Sequence, residues 1–495
     1  MMRQFLSSLT LDSRLADPLY RQIYLRIKDA IAQGTLQAGS RLPSVRGLAS
    51  DLGVARATVE SAYAQLIAEG FLQSRGQAGT YISPQLQNLP VRAALAVEPL
   101  PAVTANPLHP NGATQPFQLG LPALDAFPRA LWQRIVGRQL RTSPLAALLW
   151  QRIVGRQLRT SPLAALAHPS TQGLPELRAA IVNYLQLSRG ISCRPEQVFI
   201  CAGYQALLDL VIGTLLKPDD QVWLEDPGYP VTLPLFQAAG MRPVAVPVDE
   251  QGMNIAIGMA RAPQARMAVL TPTHQSPLGV SLSLARRMAL LEWAQQQAAW
   301  VIEDDYDSEV RYHGRPLPPL KSLDRQGRVL YAGTFSKTLF PALRMAYLVV
   351  PAGQVEAFGH SSRLRGCGCP PLLQASVADF IEQGHFYRHL KRMRPIYRQR
   401  RAWLAQALKQ QLSEYLTVAS QDGGIQLLAR FKQDGQDRRL AQDAWRCGLS
   451  VQALSDWRIT EPAGIGLLMG FANFTQQAET ERAVARLAEL FKGRN

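Results

Sequence analysis

Beyond residue 122 the chain repeats one alternation: a short apolar run, then a stretch whose apolar residues fall at helical spacing. The runs are 197–201, 221–225, 267–270, 300–304, 328–333 and 346–351. Each has the length and β-type composition of a strand. Strand, helix, strand in series predicts an α/β domain built on a mostly parallel sheet with helices on both faces. A chain of 495 residues exceeds what one core serves, so further folding units are expected. A seam marks the division. Residues 84–122 are rich in proline, poor in charge and without helical period, the composition of a semi-stiff, extended linker. The expected organisation is a compact block over 1–83, a linker over 84–116 and a large domain over 117–495.

No segment approaches the roughly 18 uncharged apolar residues of a membrane helix. Residues 1–17 lack an apolar stretch followed by a cleavage site. Cys193, Cys201, Cys367, Cys369 and Cys447 form no CxxC pair, and no metal site is expected. The expectation is a cytoplasmic protein with reduced thiols and no membrane partner. The net charge is +16, which favours acidic partners, of which DNA is the commonest. Residues 1–84 hold nine Lys/Arg against six Asp/Glu, and a second basic run spans Arg388, Lys391, Arg392, Arg394, Arg398, Arg400 and Arg401. The plainest reading of that run is a solvated helix face.

In the first block, residues 18–33 place Leu19, Ile23, Ile27, Ala30 and Ile31 at helical spacing. Ser44 is a plausible N-cap for a second helix with Leu48, Ala49 and Leu52 inward. A turn at Gly53 leads to a third helix from about 56 to 69, with Val59, Tyr63 and Leu66 inward. Two short strands follow around the turn from Arg75 to Gly79. Helix, helix, turn, helix, hairpin is the layout of a winged helix-turn-helix. In that layout Arg56, Ala57 and Thr58 meet base edges in the major groove, and Arg46 reaches a phosphate. The hairpin tip, Arg75 to Gly79, is suited to the minor groove. A three-helix module without a DNA role carries the same pattern.

In the large domain the strand ends carry chemistry. A pyridoxal 5′-phosphate (PLP) site needs a lysine for the Schiff base, an acid at the pyridine nitrogen, anion-binding groups and an aromatic over the ring. Lys337 lies in Gly333-Thr334-Phe335-Ser336-Lys337-Thr338, after an apolar run, where ligands enter an α/β crevice. By itself a loop lysine is most often solvated. Asp304 ends another run and is the candidate for the ring nitrogen, with Tyr306 for the ring hydroxyl; for Asp305 a helix N-cap is the rival role. Tyr229, in Glu225-Asp226-Pro227-Gly228-Tyr229-Pro230, is an aromatic plate. Gly203-Tyr204-Gln205 opens a helix, whose N–H groups offer a phosphate cradle. Arg344 adds a bidentate phosphate contact, and Thr334 and Ser336 are small hydroxyl residues around the lysine.

Two resemblances join these observations. PLYxQIxxxIxxxI, GxLxxGxRLPSxRxLAxxLGVxRxTVxxAYxxLxxEG and GxxGTYI, over residues 17–83, resemble the winged helix of GntR-type bacterial regulators. Ala55 departs from the pattern, which usually has Ser or another cap there. GTFSKTLFPALRMAYLV, EDDYDSE, ExPGYP, TPxHQxPxG and QGLPELRAAIxxYLxxxRGI, over about 115–490, resemble fold-type I aminotransferases. TPTHQSPLG and EDDYDSE are most similar to the MocR/GabR subfamily, GntR winged helices fused to an aminotransferase-like domain. The resemblance implies PLP on Lys337 as an internal aldimine, Asp304 on the ring nitrogen, Tyr306 near the ring oxygen and Tyr229 over the ring. It also implies a small C-terminal α+β part and a homodimer, commonly swapped head to tail.

Three departures bear on activity. Ser276 stands where aminotransferases have an Asn that touches the ring oxygen. Cys201-Ala202-Gly203 replaces the usual Thr-Ser-Gly phosphate turn. Leu468 falls where an Arg clamps the substrate carboxylate; Arg458 is a possible substitute. The expected function is therefore a PLP-dependent DNA-binding regulator that senses a small amine, an amino acid or PLP itself; an active aminotransferase with an added DNA-binding domain is the alternative. Finally, residues 131–148 recur unchanged as 149–166, a tandem duplication of which one copy is expected to pack and the other to protrude or to extend a surface helix.

Overall fold

A computed structural model describes residues 11, 19–83, 148–160 and 170–492, apart from 33–34, 69–70, 75, 77–78, 313–317, 367, 419–422, 434 and 461–464. The expected linker 84–116, the first repeat copy up to residue 147 and Arg75 lie outside the described residues. The chain forms two compact units: Met1–Pro99 with Phe380–Lys391, and Leu100–Asp379 with Arg392–Asn495.

In the first unit, α1 (Leu19–Ala32), α2 (Val45–Leu52) and α3 (Arg56–Ala68) precede β1 (Leu72–Ser74) and β2 (Thr80–Ile82). Ser44 caps α2, its hydroxyl accepting from the Gly47 N–H at 3.0 Å. Gly53 ends that helix at φ 62°, a left-handed turn that glycine adopts without strain. Ile23, Ile27, Leu48, Val59, Tyr63, Leu66 and Ile82 form the buried core. The Tyr63 hydroxyl donates to the Pro43 carbonyl at 3.0 Å and so fixes α3 to the start of α2. The antiparallel wing β1–β2 gains a third edge where Leu42 N–H bonds the Thr80 carbonyl and Ile82 N–H the Ser40 carbonyl.

The second unit centres on an eight-stranded sheet. Its strands are β3 (Val198–Cys201), β4 (Gln221–Asp226), β5 (Arg242–Asp249), β6 (Gly252–Met253), β7 (Met267–Leu270), β8 (Trp300–Asp305), β9 (Val329–Thr334) and β10 (Ala346–Val349). The order is β3-β10-β9-β8-β7-β4-β5-β6. From β9 through β8, β7 and β4 to β5 neighbours run parallel, whereas β10 is antiparallel to both β3 and β9 and β6 is antiparallel to β5. Strands β3, β7 and β10 are buried along their whole length, as expected of strands covered on both faces. β5, next to the two-residue edge β6, carries Pro243 and Pro247, which central strands exclude.

Helices α4 (Pro175–Arg189) and α5 (Tyr204–Leu215) flank β3. Leu207, Leu208, Leu210 and Val211 of α5 pack with Phe199, Leu224, Ile302 and Leu348 on one face of the sheet. Trp293 and Leu290 cover the other face with Val301 and Val329. The C-terminal part is α+β: β11 (Leu416–Val418), β12 (Gln426–Phe431), β13 (Gln452–Ala453) and β14 (Gly466–Gly470) form an antiparallel sheet in the order β11-β12-β14-β13, with its own apolar core. The basic run lies on α6 (His385–Leu412). Arg388, Lys391, Arg392, Arg394 and Arg398 are exposed there, as a solvated face requires. The face is not wholly solvated, however: Arg394, Arg398 and Arg400 donate to the carbonyls of Glu309, Tyr312 and Ala472.

A helix covers Leu148–Thr160, so the second repeat copy is the one seen folded. Ile153 and Val154 are buried, and Arg156 pairs with Asp379. Among the described residues no helix is long and apolar enough to cross a membrane.

Candidate functional site

The carboxyl ends of the parallel strands bring the expected residues to one edge of the sheet. Asp304 faces Ala332 in register, and Asp305 faces Gly333. Thr334, two residues before Ser336, faces Ala346 of β10, whose other partner is Cys201. Lys337 therefore lies in the turn that leaves β9 beside the end of β8. It is exposed, and its ammonium makes no hydrogen bond or ion pair among the described residues. The turn itself is held by the Ser336 N–H on the Thr334 hydroxyl at 3.1 Å and the Leu339 N–H on the Phe335 carbonyl at 2.8 Å.

Gly203 caps α5 at φ 94° without a side-chain acceptor. The Arg344 guanidinium lies against it: a Cβ on Gly203 would stand 3.2 Å from Cζ and Nη2 of Arg344. Arg344 also donates to Gln205 Oε1 at 3.4 Å. A helix N-terminus without a side-chain cap, beside a guanidinium, has the partial positive charge and the free N–H groups that an anion would need.

Asp304 is buried and bonded to the Tyr204 hydroxyl. Burial pushes its carboxyl up to about 8, with Asp305, Glu225 and Asp307 adding to the rise and the Tyr204 bond opposing it. Tyr204 meets the ring of Tyr229 edge-on at 6.0 Å, and Tyr229 meets Trp457 at 6.0 Å. These rings and Asp304 wall a cavity together with Thr271, Arg458 and Ile459. The bottom is tied down by pairings between residues far apart in the chain. Glu225 accepts from the Thr271 N–H at 3.0 Å and hydroxyl at 2.7 Å, and burial raises it to about 7. Asp226 accepts from the N–H groups of Ile459 and Thr460 at 3.0 and 3.2 Å and from the Thr460 hydroxyl, which fastens the C-terminal part to the Tyr229 turn.

Tyr306 is bonded to Ser276 and stands 3.2 Å from Nδ1 of His274. Asp305 is not an N-cap: it ends β8 and pairs with the buried Arg189 at 2.6 Å, while the Tyr331 hydroxyl donates to it. A buried carboxylate left unpaired is costly, so α4 supplies its partner. Leu468 lies on β14 in an apolar cluster with Leu278, Leu428, Leu454 and Trp457.

In the first unit Arg46, Arg56 and Ala57 are exposed and Thr58 is half-buried. Ala55 precedes α3, its carbonyl accepting from the Thr58 N–H at 2.9 Å. Gly79, at φ 103°, lets the Arg41 guanidinium approach the wing: a Cβ there would stand 2.9 Å from Nε. Sequence reading missed Arg41, whose place beside Gly79 depends on the pairing of residues 40–42 with β2.

A winged helix-turn-helix joined to a doubly covered α/β sheet, with an acid, aromatics and an anion turn at its strand ends, defines a DNA-binding regulator carrying a PLP-enzyme domain. Residues 19–82 match the family of bacterial regulatory proteins, gntR family, and residues 162–464 match aminotransferase class I and II. The chain belongs to the MocR/GabR type of GntR regulators. It is 35% identical over 486 residues to the probable rhizopine catabolism regulatory protein MocR of Rhizobium meliloti, covering 96% of this chain and 94% of that one. It is 32% identical over 459 residues to the pyridoxine biosynthesis transcriptional regulator PdxR of Corynebacterium glutamicum, covering 91% of each. Among solved structures, a kynurenine aminotransferase of Pyrococcus horikoshii matches with a TM-score of 0.63 and 25% identity, covering 69% of this chain and 86% of that one. LysN, an α-aminoadipate aminotransferase from Thermus thermophilus complexed with N-(5′-phosphopyridoxyl)-L-leucine, matches with a TM-score of 0.63 and 26% identity, covering 69% of this chain and 87% of that one. The cofactor of the large domain is PLP.

Proposed function

We propose that the protein regulates transcription by sensing a small amine, an amino acid or PLP itself at Lys337, and that the liganded and unliganded states differ in affinity for operator DNA. When bound, PLP supplies an aldehyde that condenses with amines and a ring that withdraws electrons. Lys337 offers the amine that carries it. Asp304 would hold a proton at the ring nitrogen, Tyr306 and Ser276 would meet the ring oxygen, and Tyr229 would cover the ring. Gly203, Tyr204 and Gln205, with Arg344, hold the phosphate; Thr334 and Ser336 shape the lysine turn. The cradle fits such a group because the bare α-carbon of Gly203 leaves room for Arg344 at an uncapped helix start. DNA is met by Arg46, Arg56, Ala57, Thr58, Arg75 and Gly79, and the regulator acts as a homodimer.

The observation that carries a sensor over an enzyme is Leu468, buried among apolar neighbours where an aminotransferase clamps its substrate's carboxylate. An apolar residue there removes a bidentate charge-assisted pair. Sensing requires unequal ligand affinity in the two states. It is tested by operator titration of the PLP-loaded protein, the PLP-free protein and Lys337→Ala; equal affinities in all three would exclude it. A second reading, a working aminotransferase, is favoured by Arg458, which lines the same cavity as Asp304. Steady keto-acid release from an amino acid, abolished by Arg458→Ala, would establish it.

A further inference from the structure

His274 and Asp307 meet behind Tyr306, and the reading above gives them no part. Nδ1 of His274 stands 3.1 Å from each Asp307 oxygen and 3.2 Å from the Tyr306 hydroxyl. The Asp307 side chain is 1% exposed and that of His274 12%. Nε2 of the imidazole is buried and has no hydrogen-bond partner among the described residues. Gly424 closes over the ring edge, where a Cβ would stand 2.3 Å from Cε1. The ring is thus held in one place with Nδ1 toward the acid.

The hydrogen positions follow from donor chemistry. An ionised carboxylate only accepts, and buried it needs a donor. Nδ1 therefore carries a hydrogen whether the ring is neutral or charged. Toward that N–H the Tyr306 oxygen is an acceptor only, so the phenolic hydrogen turns away from the imidazole. It is left for the side on which Ser276 lies and where the cofactor's ring oxygen would lie. The one Nδ1 hydrogen lies between Asp307 and the Tyr306 oxygen, so its effect on Tyr306 is to fix which way the phenolic hydrogen points.

We propose that the His274–Asp307 pair is a positioning device for Tyr306, fixing its hydroxyl as a donor toward the ring oxygen of PLP. This inference rests on the assignment of Tyr306 to that oxygen. The other groups facing the pair are Asp305 and Arg311 on the His274 side, and Asp304 and Glu225 on the Tyr306 side. Burial favours the neutral imidazole, but Asp307 outweighs it and the pKa of His274 is raised, with Arg311 opposing.

The test is the pH dependence of visible absorption of the PLP-loaded full chain in the wild type, His274→Phe and His274→Asn, with thermal melts confirming folding. A donor aimed at the ring oxygen favours the form with full negative charge there, so losing it moves the colour transition to higher pH. His274→Phe is expected to raise the midpoint by about one pH unit, tenfold in the proton equilibrium. His274→Asn, whose amide N–H takes the place of Nδ1–H, is expected to return it close to wild type. An unmoved midpoint in the Phe variant, or equal displacement in both, overturns the proposal. If the Phe variant does not fold, Asp307→Ala decides: without the carboxylate the Nδ1 lone pair is open to accept from Tyr306, whose hydrogen then turns to the imidazole, and the midpoint either rises or the proposal fails. A wild type that stays colourless with PLP overturns the underlying site reading, whereas a coloured wild type with an unmoved variant overturns this inference alone.

Discussion

The guanidinium of Arg344 rests on the bare α-carbon of Gly203, far away in the chain, beside the ends of two strands that pair directly, β3 and β10. Gly203 thereby meets two demands at once, a φ of 94° and a close approach. Gly203→Ala is expected to cost about 1–3 kcal/mol in backbone strain. It also pushes Arg344 off the helix start. Affinity for PLP, read by absorbance titration, is expected to fall at least about tenfold, the loss of one charge-assisted contact. Arg344→Ala should lower it similarly without lowering the melting temperature, and the double variant should lose little more, because both act on one contact.

The acidic floor makes the cofactor-free protein sensitive to pH. Asp304 titrates near 8 in the folded chain and near the ordinary 3.8 when unfolded; Glu225 and Glu303 titrate near 7. Between those values the folded state holds protons that the unfolded state has released, so stability is greatest below about pH 4 on this account and declines up to about pH 8. The melting temperature of the cofactor-free protein is expected to be lower at pH 8 than at pH 5.5. Asp304→Asn should flatten that slope and raise the pH 8 value, while abolishing tight PLP binding. Identical slopes in the two proteins would contradict the assignment of the burial cost to Asp304.

How much of this was legible in advance depended on sequence distance. Strand ends were: the expected runs at 267–270 and 300–304 are β7 and all but the last residue of β8, because each opens on consecutive apolar residues of the kind a strand covered on both faces needs. Ser44, Val59, Tyr63 and Leu66 were legible for the same reason, since capping and helical period act within a few residues. The pairings that finish the site were not. Arg189 reaches Asp305, Glu225 reaches Thr271, and Asp226 reaches Thr460 across 46 to 234 positions, and nothing near any of these residues announces its partner. Asp305 shows the consequence: an acid before a turn reads locally as a cap, and only the fold supplies the buried arginine.

Asp226 gives the next prediction. Its two oxygens take two N–H groups and a hydroxyl from residues 459–460, and its side chain is buried. Asp226→Ala removes the acceptor of three hydrogen bonds whose donors lie on the half-buried Ile459 and the exposed Thr460, where water can replace part of the loss. Unfolding by urea is expected to show a loss of about 1–2 kcal/mol. The released segment carries Trp457 and Arg458 away from Tyr229, so ligand affinity at the cavity should fall as well; Asp226→Asn, which keeps an acceptor, should lose clearly less on both counts.

For the DNA module, the exposed Arg46 and Arg56 are expected to act differently. Arg46→Ala should weaken binding to all sequences alike and reduce the slope of log affinity against log salt by about 1, as the loss of one phosphate contact does. Arg56→Ala should cost about 1–3 kcal/mol on the specific operator and little on unrelated DNA. Fluorescence anisotropy over a salt series with both duplexes separates the two. A reversed pattern would place Arg46, rather than Arg56, at the base edges.

The repeat yields the last prediction. Residues 149–160 form the docked helix with Ile153 buried and Arg156 on Asp379, and residues 131–142 have the identical sequence, Ile135 corresponding to Ile153. Identical side chains make identical contacts, so the energy of docking does not distinguish the copies; only the length of chain on either side does. That term is small, because closing a loop longer by eighteen residues adds only a fraction of a kcal/mol to about 1 kcal/mol. Ile153→Asp alone is therefore expected to lower the melting temperature little, the first copy taking over the docking site, and Ile135→Asp alone to change it less. The double variant should lose the full cost of a buried apolar contact, about 2–5 kcal/mol. If Ile153→Asp by itself destabilises as much as the double variant, the first copy cannot reach that site, and the duplication is an insertion rather than a spare.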